Sequence, residues 1–242
     1  GPISNLGDQL TPILLRQFAD ITATWAPPTE ADIVCTGSVL DVLPRAGYRG
    51  TVVGSGQLHN HTLTDLSFAT VLGLRGALSR LRVQCEGEPV LADPVLLASE
   101  LVTPTPNSIE IGVVPHWTDR ALWLLEQAKA KKYKYAMPTL IDPTGDPLEV
   151  IAAIGSCRKV VTSTLHGAVV ADAFGVPRRV ELAPSMRNDK AHEGGTFKLA
   201  DYSSTLGQPI TFGKLQTAPR ERVDAMQWEL FNMFQTLKGL HA

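Results

Sequence analysis

The residues of this 242-residue chain best able to do chemistry are polar and cationic groups on short loops that close apolar runs. They are Asp8, Ser38, Ser55, His59, His61, Arg75, His116, Ser163, His166, Arg187 and Lys198. Imidazoles donate to anions or move protons near neutral pH, and arginine and lysine hold carboxylates and phosphates. On a mildly acidic protein of net charge −2, such a collection points to a small anionic ligand. Each residue alone also has a plain explanation. Asp8 can cap the first helix, Arg75 can be a surface ion-pair partner of little worth, and Lys198 can be a solvated lysine. His59 and His61 flank Asn60 without a third ligand at metal spacing, so no metal is expected there.

The most informative stretch is Lys159 to Pro177, KVVTSTLHGAVVADAFGVP. Val160, Val161 and Thr162 read as a buried strand, Ser163-Thr164 breaks it, and Leu165 to Phe174 has a helical pattern. Gly175 is placed to end that helix, and Pro177 cannot continue it. His166 then falls in the first turn of a helix that follows a strand. Such a start presents unpaired N–H groups and the positive end of the dipole, which suit a phosphate or carboxylate. An ordinary strand–helix unit with a packed histidine is the plain alternative.

The elements that must hold these groups form two series. After an amphipathic helix capped at Thr11-Pro12 with Leu14, Leu15 and Phe18 buried, apolar runs at Ile33–Cys35, Val52–Val53 and Val71–Leu74 each close on glycine or serine. Continuous apolar strands of this kind fit a parallel sheet covered on both faces, whose ligands lie at the strand C-terminal ends. TPTPN around Val102–Asn107 reads as a linker. A second series follows: a strand at Ile109–Val114, a helix capped by Thr118, and a strand at Tyr135–Ile141. Asp146-Pro147 then starts a helix, and Val180–Leu182 gives a further strand. The polar stretch Pro184–Gly195 and the His59–His61 loop read as acceptor contacts or lids. Val223, Met226, Leu230, Phe231, Phe234 and Leu237 share one face of a docked C-terminal helix. The expected class is α/β, with two Rossmann-like domains at 1–102 and 107–218 facing a cleft, and a helix at 219–242 returning to the body.

Composition narrows the function further. The chain is 44% hydrophobic and 19% charged without a long basic tract, so nucleic acid is not an expected partner. Cys35, Cys85 and Cys157 are odd in number and far apart, which fits free thiols in a reducing, cytoplasmic compartment. No apolar run reaches the roughly 18–20 residues of a membrane helix. Gly1-Pro2 reads as a tag-cleavage scar. GxGxxG, GxxxxGK[ST] and GxSxG are absent, which removes the standard dinucleotide, P-loop and α/β-hydrolase signatures.

Several separated motifs together resemble the polysaccharide pyruvyltransferases. Asn5-Leu6-Gly7-Asp8 with Leu10-Thr11-Pro12 is similar to an NxGDxLTP element, and Trp25-Ala26-Pro27 before Ala31-Asp32-Ile33-Val34 and Gly37-Ser38 to WxP…ADLVxxGS. Gly54-Ser55-Gly56, Leu72 to Gly76, Asp93-Pro94 and Gly112 to His116 resemble the GSG, LRGxL, DPxLL and GVxPH elements. Ser163 to Pro177 looks like S[SR]LHGxIxADAxGxP, and Phe197-Lys198 with Asp201-Tyr202 like FKxxDY. The resemblance runs from residue 5 to about 207. Thr164 stands where many members have arginine.

That resemblance implies a fold like the GT-B glycosyltransferases. It also implies transfer of pyruvate from phosphoenolpyruvate to two sugar hydroxyls as a cyclic ketal, with phosphate released and no cofactor. The acceptor is a saccharide, free or lipid-linked, the latter putting the protein peripherally at the inner membrane face. His166, Asp8 and His116 become the catalytic candidates. Arg75, Lys198, Ser163, Thr164, Ser38, Ser55 and Arg187 become the substrate-binding candidates. Two alternatives stay open: a GT-B nucleotide-sugar glycosyltransferase using Glu181 on the ribose, or an inactive sugar- or anion-binding relative.

Overall fold

The structure is a computed structural model describing residues 6–43, 47–60, 62–133, 137–184 and 196–241. The first half comprises helix α1 (Leu6–Ala19) and the strands β1 (Ile33–Val34), β2 (Thr51–Ser55), β3 (Thr64–Asp65) and β4 (Thr70–Leu74). After them come α2 (Ala77–Arg80), β5 (Val83–Gln84), β6 (Val90–Leu91) and a 3-10 segment, Pro94–Glu100. β1, β2, β4 and β6 pair in that order, all parallel. β3 and β5 make a separate parallel pair. Every residue of β2 is buried, as a strand covered on both faces requires.

The second half carries β7 (Gly112–Val114), α3 (Arg120–Tyr133), β8 (Thr139–Leu140), α4 (Pro147–Gly155), β9 (Val160–Thr162), α5 (Leu165–Ala173) and β10 (Arg178–Val180). It ends with α6 (Thr196–Leu206), β11 (Leu215–Gln216) and α7 (Arg220–Leu240). The sheet order is β11-β10-β9-β7-β8, parallel except for the edge strand β11. Asp146 caps α4 as its sequence predicts, its Oδ1 accepting from the N–H groups of Leu148 and Glu149. Gly175, at φ 69°, ends α5 with paired bonds from Val176 N to Ala171 O and from Gly175 N to Asp172 O.

Several boundaries differ from the sequence reading. α1 starts at Leu6 and runs through Thr11-Pro12, because Leu6, Leu10, Leu14, Leu15 and Phe18 bury as one stripe and Leu6 N–H bonds Pro143 O. Pro12 supplies no N–H to the Asp8 carbonyl, while the Thr36 hydroxyl covers the neighbouring Gly7 carbonyl at 2.8 Å. Thr118 does not cap α3. It lies in a 3-10 turn, its hydroxyl 2.7 Å from His116 Nδ1, and α3 starts at Arg120. Only Gly112–Val114 of the 109–114 run is ladder strand, with Ile109 bridging Cys157 alone. The strand expected at Val180–Leu182 shifts to Arg178–Val180, where it meets β9 and β11. Of the 135–141 run, 135 and 136 lie outside the described residues, and Thr139–Leu140 form β8. On α7, Met233 takes the buried place expected of Phe231, which is exposed.

One hydrophobic cluster joins α1, the Pro94–Glu100 segment, α4, α5, α6 and α7, and includes Val53 of the first sheet with Val114, Val160 and Val180 of the second. α7 packs back on α1, the Pro94–Glu100 segment, β4 and β6. Each fully buried leucine there contributes roughly 1.5–3 kcal/mol. A smaller cluster, including Val34, Leu40, Tyr48 and Leu66, fills the outer face of the first sheet. The described cysteines are free thiols, two buried and Cys85 partly so. No described helix is long and apolar enough to cross a membrane.

Candidate active site

In the second sheet the chain leaves β7 toward β8 on one side, and leaves β9 toward β10 on the other. The loops after β7 and β9 diverge, and the crevice between them is where open α/β sheets bind ligands. His116 follows the first of these strands and Ser163 to His166 follow the second. Ser163 is not in the cavity wall; its Oγ accepts from the N–H of His116 at 2.9 Å and so ties the two loops together.

Asp8, Ser38, His116, Thr164, His166 and Lys198 line one cavity of about 160 Å3 at this crevice, with Gly7, Gly37, Leu58, Trp117 and Leu165 among its other walls. Thr164 is the N-cap of α5, its Oγ1 accepting from Gly167 N–H at 2.9 Å. The N–H groups of Leu165 and His166 remain as first-turn donors without intrahelical partners. The Nδ1–Cε1 edge of the His166 ring lies against Gly7, where an added Cβ would sit 2.1 Å from Cε1. Its Nε2 is buried without a hydrogen-bond partner, 4.0 Å from Asp93 Oδ2, and 14% of the side chain stays exposed.

Burial dominates the electrostatics of the cavity wall. Burial, then Lys198 and Arg75, hold His166 down to about 3. Burial and Lys198 bring His116 to about 4, against the opposing pull of Asp119. Burial and Arg75 lower Lys198 to about 8, while Asp8 pulls the other way. Asp8 is exposed in the first turn of α1, where an acid suits the helix dipole. At neutral pH both imidazoles are therefore neutral and Lys198 is mostly charged.

Lys198 owes its position to α6. One turn further on, Asp201 faces the first half, its Oδ2 accepting from Arg75 Nε at 2.9 Å and from Ser79 Oγ at 2.6 Å. Next to it, Tyr202 Oη donates to Asp172 Oδ2 at 3.0 Å, and Asp172 pairs with Arg178. α6 is thus fastened on both sides by buried polar groups.

The remaining predicted residues are placed elsewhere. Arg75 is fully buried behind the cavity and not in its wall, its guanidinium held by Asp201, Ser38 Oγ and the Gln57 carbonyl. A surface ion pair it is not, because neither side chain is exposed where α6 packs against α2. Ser55 is fully buried and closes the Gly37–Val39 turn, since Gly37 O and Val39 N are its partners. Arg187 and His61 lie outside the described residues. His59 Nδ1 is 3.2 Å from Asp41 Oδ2. No group of three or more metal-ligating side chains occurs among the described residues. Glu181 pairs with Arg179 on the surface, away from the cavity. Asp93, Asp201 and Gly7 stand in the motifs quoted above, but nothing in their types revealed which partners they would meet.

Residues 66–180 match the model of the polysaccharide pyruvyl transferase family. The succinoglycan biosynthesis protein ExoV of Rhizobium meliloti (strain 1021) is 30% identical over 236 residues, covering 92% of this chain and 67% of its own. The chain belongs to the polysaccharide pyruvyl transferase family. No solved structure matches it significantly. As a pyruvyl transferase family member it has its matched segment running from β4 to β10, which carries Arg75, Asp93, His116 and His166 but ends before Lys198.

Proposed function

We propose that the protein transfers pyruvate from phosphoenolpyruvate to two hydroxyls of a sugar in an exopolysaccharide or cell-surface glycan precursor, forming a cyclic ketal and releasing phosphate. The observation that carries this reading is the convergence of Lys198, His116, His166 and the start of α5 on one small cavity. A cavity of about 160 Å3 suits a compact phosphate ester better than a nucleotide sugar. The surface pairing of Glu181 also leaves a ribose without its expected carboxylate.

The donor brings a phosphate and a carboxylate. Lys198 and the N–H groups of Leu165 and His166 would hold one of them in a site where little water competes. Ketal formation adds a proton to the donor methylene and removes protons from the hydroxyls. Neutral His166 and His116 can accept a proton, and become donors once a bound dianion favours their charged form. Asp8 borders both this cavity and a larger cleft of about 1310 Å3 that also includes Trp25 and Tyr48, so it is the carboxylate best placed to take a proton from a saccharide hydroxyl. Ser38 and Thr164 complete the wall, with their hydroxyls already engaged by Arg75 and Gly167.

We read the two sheets as two Rossmann-like domains of GT-B type, at 1–102 and 107–218, with 219–242 returning to the first. The saccharide lies on the first and the donor on the second. The protein works without cofactor in the cytoplasm, at the membrane face where its acceptor is lipid-linked.

Phosphate release from phosphoenolpyruvate in the presence of an acceptor oligosaccharide tests the reading. His166→Gln should abolish it, and wild-type-like turnover in that variant overturns the assignment. A thermal-shift titration separates the alternatives, because a ligand that binds only the folded state raises the melting temperature. Stabilisation by a nucleotide sugar and not by phosphoenolpyruvate reverses the conclusion. Stabilisation by phosphoenolpyruvate without turnover on any acceptor identifies a binding protein instead.

A further inference from the structure

Asp93 follows β6 and caps the Pro94–Glu100 segment, its Oδ1 accepting from Val95 N–H at 3.0 Å. The residue is completely buried, and its second oxygen, Oδ2, has no partner. Opposite it stands His166 Nε2, also buried and also without a partner, at 4.0 Å. Leaving a buried polar atom unsatisfied costs about 1–3 kcal/mol, so two such atoms facing each other form a contact in waiting. Hydrogen-bond range is about 1 Å away, within reach of a small rotation of the ring. The Asp93 side chain comes from the first half and the His166 side chain from α5 of the second, so their meeting depends on the packing of the Pro94–Glu100 segment against α5.

We infer that Asp93 is a positioning residue for His166: its Oδ2 accepts the Nε2 proton, fixes the ring's tautomer and orientation, and becomes the counter-ion of the imidazolium formed when the anionic donor binds. A proton on Nε2 leaves Nδ1 with the free lone pair, the form able to accept a proton. The charged and titratable groups around Asp93 are Arg75, Asp201, His166, Cys35 and Tyr202. Burial lifts the Asp93 carboxyl to about 6, with the charge of Arg75 opposing the rise. Above that pH the carboxylate accepts from Nε2–H. Below it the carboxylic acid donates to Nε2 and the imidazole proton moves to Nδ1. The tautomer of His166 then follows the charge of Asp93.

The test is long-range 1H–15N correlation on the full chain labelled with 15N-histidine, without donor or acceptor, with His166 assigned by comparison to His166→Gln. At pH 7.5 the wild-type ring should be the Nε2–H tautomer, and acidification should interchange its two nitrogen shifts with a midpoint near 6. In Asp93→Asn the amide oxygen keeps the Val95 cap while the NH2 faces Nε2, so the ring should be Nδ1–H at every pH. A wild-type Nδ1–H tautomer at pH 7.5 overturns the inference, as does an Asp93→Asn spectrum identical to wild type. If that variant does not fold, the wild-type tautomer alone decides. Phosphate release by folded Asp93→Asn should fall about 10–100-fold in kcat with little change in KM for phosphoenolpyruvate. Only this last arm rests on the proposed pyruvyl transfer. Turnover by His166→Gln would sink the catalytic role of His166, and no phosphate release by wild type would sink the transfer itself, while either leaves the tautomer result standing.

Discussion

Arg75 and Asp201 form a salt bridge of 2.9 Å with neither side chain exposed, joining the end of β4 to α6 across 126 residues of sequence. The pair fastens Arg75 to the helix that carries Lys198. Removing one partner leaves a buried charge without its counter-ion. Arg75→Met should therefore cost about 3–5 kcal/mol in urea denaturation, while Arg75→Met with Asp201→Leu should recover most of it. A single variant as stable as wild type would mean the pair is not closed to water.

Lys198 makes the opposite case. Its burial lowers it to about 8, so below that pH the fold carries the cost of an unwelcome charge, and the cost fades as pH rises from 8 toward 10.5. Lys198→Met should leave the melting temperature at pH 7 unchanged or raised, and weaken phosphoenolpyruvate binding at least about 10-fold, the loss of one charge-assisted bond. Donor affinity measured by calorimetry should fall in wild type above pH 8 as the lysine discharges, and stay flat in the variant.

Acid stability should be governed by His116 and His166. Both are held far below their ordinary value of 6.5, at about 4 and about 3, so the unfolded chain takes up their protons first. Their neutral burial destabilises the fold progressively as pH drops from 6.5 toward 4. Asp93, raised to about 6, acts in the other direction between 6 and 3.8 and offsets part of the loss. The melting temperature should decline across that window, and less steeply in His116→Gln, a variant whose slope matching wild type would refute the account.

Gly7 tests the contact between α1 and the α5 start. Alanine in an exposed helix position is normally better than glycine by about 1 kcal/mol. Here its methyl would lie 2.1 Å from the His166 ring, so the ring must move. Gly7→Ala should cut phosphate release by about 100-fold, the scale of a 1 Å misplacement. Full activity would show that the ring position is unimportant.

The segment Lys159–Pro177 was largely legible, because strand, break, helix and glycine stop all follow from neighbours in the chain, whereas the capping role of Thr164 came from the structure. The same holds for the parallel β/α class and for the separated motifs, whose residue types are local facts. Thr11-Pro12 misled for the complementary reason: a local cap signal gave way to the burial of the whole α1 stripe.

What residue types could not reveal was pairing across long separations. Arg75 and Lys198 are both cations on strand-end or loop-end positions, yet only Lys198 lines the cavity, because Asp201 and Ser38 close around the guanidinium. Ser55 and Ser38 have equally glycine-rich neighbours in sequence, and only the second lines the cavity. Sequence by itself determined that this protein is an α/β member of a pyruvyl transferase family with a histidine in the first turn of a helix that follows a strand. Tertiary packing alone decided which charges are spent on holding the halves together and which remain for a ligand, since a charge is committed by the desolvated partner it meets, and that partner comes from a distant part of the chain.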